Sequence, residues 1–181
     1  MLNSYQVIIS NTALIHSFIQ LCKYKLCQYV NQEEKKQADE IRSYSSYGLR
    51  EVVQYGVIQT FEVLSHSCYA GVLAKATATA GGIVVEADTD IAVTISNIFN
   101  FIHILLNGRY PNPCLPTVPP LPALLKESVE QIEVEGAQEE VEAQMTNNEN
   151  RTMDINYHAR NFKAILLNAF INPTNPQNRF H

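Results

Sequence analysis

At 181 residues the chain is long enough to bury a hydrophobic core without disulfides or metal, which confines it to one domain, or one domain with tails. A net charge of −5 argues against a nucleic-acid binder built on a basic surface. Four scattered cysteines, Cys22, Cys27, Cys68 and Cys114, exclude a small disulfide framework. Charged residues make up 17% of the chain, against about a quarter in a typical soluble domain, so less of the sequence is committed to water than usual.

The first ten residues show neither a basic start nor a small-residue cleavage site, and the expected setting is intracellular and cytoplasmic, with free thiols. From Ser10 to about Tyr29 apolar residues recur in steps of three and four (Ile15, Phe18, Ile19, Cys22, Leu26), which predicts an amphipathic helix capped by Asn11 or Thr12. Asn31 to Ser46 is polar and mixed in charge. It reads as a solvated helical extension or a loop, with a turn at Tyr44-Ser45-Ser46.

The three-four rhythm is longest between Gly48 and Ala80, through Leu49, Val52, Val53, Val57, Phe61, Leu64, Cys68 and Val72, and predicts one long helix. Its later part is small: Ala70, Ala74, Ala78 and Gly82 lie four apart and offer a face for close backbone approach. Gly81-Gly82 stops it. Asp88, Thr89 and Asp90 then precede Ile91–Leu106, apolar nearly all round, with Gly108 placed for a left-handed C-cap.

Tyr110 to Pro122 holds six of the eight prolines and is expected to be an extended connector, with Pro122 opening the next helix. Leu121, Leu124, Leu125, Val129 and Ile132 give that helix its stripe, and Gly136 weakens or ends it. Residues 126–145 contain seven glutamates and one lysine. A last helix, with the stripe Ile155, Ala159, Phe162, Ile165, Leu166, Ala169 and Phe170, ends before Pro173. The expected architecture is therefore all-α: a loose bundle of four to five helices around one long helix, with a Pro-rich connector and a C-terminal docking helix. The corresponding divisions are a helical core at 1–110, the connector and acidic segment at 111–150, and the C-terminal helix and tail at 151–181.

No constellation with catalytic, metal or cofactor spacing emerges, and neither an enzyme nor a cofactor is expected. Cys22 and Cys27, five apart, point some 140° away from each other on a helix. Glu86, Asp88 and Asp90 lack the glycine and the distal glutamate of a calcium loop and are better read as helix capping. His66-Ser67-Cys68 places a base beside nucleophiles, but helical neighbours do not face one another. His16, His103 and His158 sit on or beside apolar stripes. No nucleic-acid partner is expected, and a membrane span is not expected either, because Ile91–Leu106 falls short of the roughly 20 residues needed and is interrupted by Thr94, Ser96, Asn97, Asn100 and His103.

Residues 45–125 contain only eight charged side chains: Arg50, Glu51, Glu62, Lys75, Glu86, Asp88, Asp90 and Arg109. Two long helices so poor in charge are expected to be covered by something. The first functional expectation is thus a structural or adaptor protein that self-associates or binds a protein partner, through Ala70, Ala74, Ala78, Phe99, Ile102, Phe162, Leu166 and Phe170. The acidic segment and the basic last helix, with Arg160 and Lys163, are expected to attract each other within or between chains. The alternative is a helical enzyme or small-ligand binder with a pocket between helices near His66, Cys68 and His103, which requires at least three polar residues converging in a concave site. The abundance of Asn, Ile and Tyr, as in AT-rich coding sources, adds a virus-encoded structural or accessory protein as a further alternative.

Overall fold

A computed structural model describes residues 9, 11–26, 28, 30–78, 88–144 and 155–169. Among these the fold is all-helical, with α1 at Thr12–Leu21, α2 at Gln32–Tyr55, α3 at Ile58–His66, α4 at Tyr69–Ala78, α5 at Asp88–Asn107, α6 at Pro122–Val134, α7 at Ala137–Gln144 and α8 at Ile155–Ala169. These eight helices are more than the four to five expected. The difference comes from breaks that leave the apolar rhythm intact.

Helix α1 starts where Asn11 Oδ1 accepts from the Leu14 amide at 3.1 Å. It stops short of Tyr29, because the chain leaves it through a turn in which Lys25 takes a left-handed φ of 46°. Lys25 pairs with Glu34, whose other oxygen accepts from the Val30 amide at 2.7 Å, and this closes the turn onto the start of α2. Asn31 caps α2 by accepting from the Glu34 amide at 2.8 Å, and Glu33 and Glu34 complement the positive end of the helix dipole.

The turn expected at Tyr44-Ser45-Ser46 is instead continuous helix. The Ser45 hydroxyl donates to the Ile41 carbonyl at 2.7 Å, a back-bond inside the helix, so it does not compete with the helical backbone. Ser45 and Ser46 are buried against the rest of the protein. This 24-residue helix is the longest described.

The single helix expected over Gly48–Ala80 is three. At Gly56 the backbone turns so tightly that an added Cβ would lie 2.6 Å from the Val52 carbonyl oxygen and 2.8 Å from Thr60 Cγ2. Thr60 Oγ1 then accepts from the Val57 amide at 3.1 Å and starts α3. At Cys68 the chain takes φ 57°, a conformation that costs a non-glycine residue about 1–2 kcal/mol and that no local signal announces. Both breaks fall between turns, so the stripe stays on the buried side while the axis changes direction.

Gly108, at φ 75°, ends α5, and its amide donates to the Ile104 carbonyl at 2.8 Å. An added Cβ would lie 2.6 Å from the Val118 carbonyl oxygen, so only glycine fits. The connector that follows folds back on itself through bridges between Arg109 and Val118 and between Asn112 and Leu115. The Leu121 amide ties it to the Leu105 carbonyl at 2.8 Å. Pro122 occupies the first turn of α6, and Gly136, at φ 67°, separates α6 from α7.

One contiguous core runs from Ile15 in α1 to Leu166 in α8. Helix α5 lies at its centre, packed against α2, α4, α6 and α8, while α4 is enclosed by α5, α6 and α7. In α4, Tyr69, Ala70, Gly71, Val72, Leu73, Ala74 and Thr77 are buried. The charge-poor stretch is thus interior, and its shortage of charge does not require a second chain.

Two buried polar links pin the helices. Ser65 and Ser128 hydroxyls meet at 3.2 Å between α3 and α6, and Asn97 Nδ2 donates to Ser46 Oγ at 3.0 Å between α5 and α2. No described helix is long and apolar enough to cross a membrane.

Candidate functional site

On α2, Arg50, Val53 and Gln54 share one face by helical spacing, and on α5 so do Asn97, Asn100 and Ile104. Where these faces meet, the helices part to leave a cleft of about 270 Å³, completed by Tyr69 from the start of α4, His103 from α5, and Arg109 and Leu115 from the connector. That volume suits a metabolite of modest size.

Behind Tyr69 the core is aromatic. The Tyr69 ring meets the Phe101 ring edge-on at 5.1 Å between centroids, and Phe101 stacks on Phe61 at 6.0 Å. The Arg109 guanidinium carbon lies 5.9 Å from the Phe61 ring centroid. Arg109 also donates to a ring of carbonyls: from Nε to Pro116 at 2.7 Å, from Nη1 to Val53 at 3.0 Å and to Gln54, and from Nη2 to Gly56. The last three lie at the C-terminal end of α2, where carbonyls lack helical partners and a cation offsets the negative end of the dipole. Burial lowers the Arg109 pKa from its ordinary value. Held among carbonyls, it remains a cation.

Two residues of the lining each carry a buried oxygen with no protein partner. Tyr69 is 0% exposed and its hydroxyl meets no hydrogen-bonding atom of the protein. Asn97 is 2% exposed; its amide nitrogen is committed to Ser46, while its Oδ1 is unpartnered. Leaving such a group buried and unpaired costs about 1–3 kcal/mol. Burial, with a smaller contribution from the Cys22 thiol, pushes the Tyr69 phenol far above its usual range and keeps it neutral. Burial also holds His103 below the ordinary imidazole value, so it is neutral at pH 7. Its ring lies 5.7 Å from that of Phe99. The cleft lining contains two arginines and no carboxylate.

The residues expected at an interface lie mostly elsewhere than on a surface. Ala70, Ala74, Ile102, Phe162 and Leu166 are buried in the chain's own core, and Phe99 is partly buried against it. These five pack within the chain, where neighbouring helices fill the close-approach face. Ala78 is the last residue of α4, and Phe170 lies outside the described residues. Among the described residues the acidic segment and the last helix meet in cis at Lys163 Nζ and Glu142 Oε1, 2.6 Å apart.

His66, Cys68 and His103 are not brought together. His66 stands 3.6 Å from Glu127 of α6, and Cys68 lines a separate cleft beside Gln131, whereas His103 borders the α2–α5 cleft. His16 lies 3.4 Å from Ser67 Oγ, and the His158 ring lies 5.6 Å from that of Tyr157. Cys22 is buried and its thiol pKa is pushed up to about 12 by that burial; Cys27 and Glu86 lie outside the described residues. Among the described residues no three His, Cys, Asp or Glu side chains cluster as metal ligands would.

Arg50, Gln54, Tyr69, Asn97 and Arg109 were not singled out as a site by the sequence, since they come from four segments without a common spacing. The one available signal was the polar interruption Asn97, Asn100 and His103 in an otherwise apolar helix. Comparison with protein families, with curated proteins and with solved structures finds no match to this chain.

Proposed function

We propose that the protein is a small-molecule binding module whose site is the α2–α5 cleft. The observation that carries this reading is that two residues of the cleft lining, Tyr69 and Asn97, each hold a buried oxygen without a protein partner. A native fold rarely leaves such groups unpaired unless something else satisfies them. Asn97 Oδ1 only accepts, so its partner is an N–H or O–H donor; the Tyr69 hydroxyl takes either role.

The lining supports binding rather than catalysis. It offers one neutral imidazole, no carboxylate and no serine or cysteine nucleophile for that imidazole to activate. Assembly through the charge-poor helices is the weaker reading, since packing within the chain accounts for their lack of charge.

The test is chemical-shift mapping of the full chain against a library of small polar compounds. Binders are expected to move the Asn97 and Asn100 side-chain amides, and the Asn97→Leu variant to lose them. If no compound moves those signals, or if Asn97→Leu binds as the parent does, the cleft is not the site.

A further inference from the structure

Resting on that reading, we infer that the ligand is a small anion, a carboxylate or phosphate ester of metabolite size that also carries an N–H or O–H donor. The chain as a whole is acidic, at −5, yet this cleft gathers two guanidinium groups and no carboxylate. No ion pair involves Arg50 or Arg109 among the described residues. Arg109 is bonded only to neutral carbonyl oxygens, and the negative end of α2 offsets roughly half a unit charge. His103 is neutral and adds none. About one and a half positive charges are left facing a partly desolvated space, where an anion is attracted more strongly than at an open surface.

The cleft is also graded along its depth. Arg50 is exposed at the rim and Arg109 is half-buried, while Tyr69 and Asn97 are fully buried. A ligand that satisfies all four places its anionic end toward the arginines and a donor toward Asn97 Oδ1. A hydroxy acid or amino acid meets this description, and a simple alkanoate does not. A carboxylate and a phosphate monoester present the same fork of acceptors to a guanidinium.

Four probes separate the possibilities in titrations of the full chain at low salt: L-malate, glycerol 3-phosphate, uncharged malamide, and succinate, which lacks the hydroxyl donor. Malate or glycerol 3-phosphate is expected to move the His103 ring and Asn97 side-chain signals, with at least tenfold weaker binding of malamide and a weaker response to succinate. Whichever of the two anions binds more tightly identifies the carboxylate or phosphate source. Arg50→Gln, a change at an exposed position that leaves folding intact, is expected to weaken the anion about tenfold and to erase its advantage over malamide.

Equal binding of malate and malamide to the parent overturns the anionic assignment while leaving the cleft as a site. The same holds if Arg50→Gln binds malate as the parent does. If none of the four probes moves these signals, the anionic assignment falls; the cleft itself falls only if the wider library fails too.

Discussion

Replacing Tyr69 by phenylalanine removes one buried oxygen from a residue of the cleft lining and leaves the ring in place. The ring keeps its edge contact with Phe101 at 5.1 Å and its place in the core, so no cavity larger than a hydroxyl is created. What is lost is a buried polar group with no protein partner, whose desolvation costs the fold about 1–3 kcal/mol. Tyr69→Phe is therefore expected to stabilise the ligand-free protein by about 1–2 kcal/mol. For a chain of this length each kcal/mol moves Tm by roughly 2–4 °C, so calorimetry should find a rise of about 2–8 °C. Urea unfolding should show a higher midpoint with an unchanged slope. The same variant is expected to bind the ligand more weakly, so stability and affinity move in opposite directions. A fall in stability of 1 kcal/mol or more would show that the hydroxyl is already satisfied within the unliganded fold, and the principal support for the cleft as a binding site would be gone.

Arg109→Met removes the guanidinium that holds the last carbonyls of α2 and is expected to cost about 2–3 kcal/mol in urea unfolding, with faster hydrogen exchange confined to the end of α2. Arg109→Lys restores little of this, because an ammonium cannot span the same carbonyls. Ser65→Ala and Ser128→Ala each strand the other hydroxyl and are expected to cost about 1 kcal/mol apiece, whereas the double variant should cost less than the sum; additive costs would mean the 3.2 Å contact contributes nothing. His103 is held below the ordinary value of 6.5, so below that pH the unfolded chain takes up a proton that the native protein does not. Its contribution to stability is complete above pH 6.5 and is lost as pH falls toward the folded-state pKa. His103→Gln should flatten the fall in stability between pH 7.5 and 5.5, and identical pH curves for the two proteins would contradict the partial desolvation of this ring.

Much of the helix inventory could be read from residues that act locally. Asn11 caps α1, Pro122 opens α6, Gly108 and Gly136 stop helices by adopting positive φ, and the stripe through Ala159, Phe162, Ile165 and Leu166 is buried as its spacing requires. The breaks at Gly56 and Cys68 were hidden because hydrophobic periodicity records which side faces the core and is blind to a change of axis that preserves that side. The charge-poor middle was expected to be covered by a second copy or a protein partner; in the described residues the chain's own helices cover it. What covers it, α6, α7 and α8 folding back over α4 and α5, depends on long-range packing that spacing does not encode. The cleft was illegible for the same reason, although its ingredients were visible: Arg50 and Arg109 are two of only eight charges in that stretch, and Asn97, Asn100 and His103 interrupt the most apolar helix.

The hold of Arg109 on α2 also constrains the order in which the molecule is built. Its carbonyl partners at Val53, Gln54 and Gly56 precede it by 56, 55 and 53 residues. A chain emerging from the ribosome exposes the finished α2 well before Arg109 has been synthesised. Throughout that interval the helix ends in bare carbonyls, and the walls of the cleft cannot be fixed relative to one another. Truncation anywhere before this arginine would leave α2 in the same unfinished condition, however complete its own sequence.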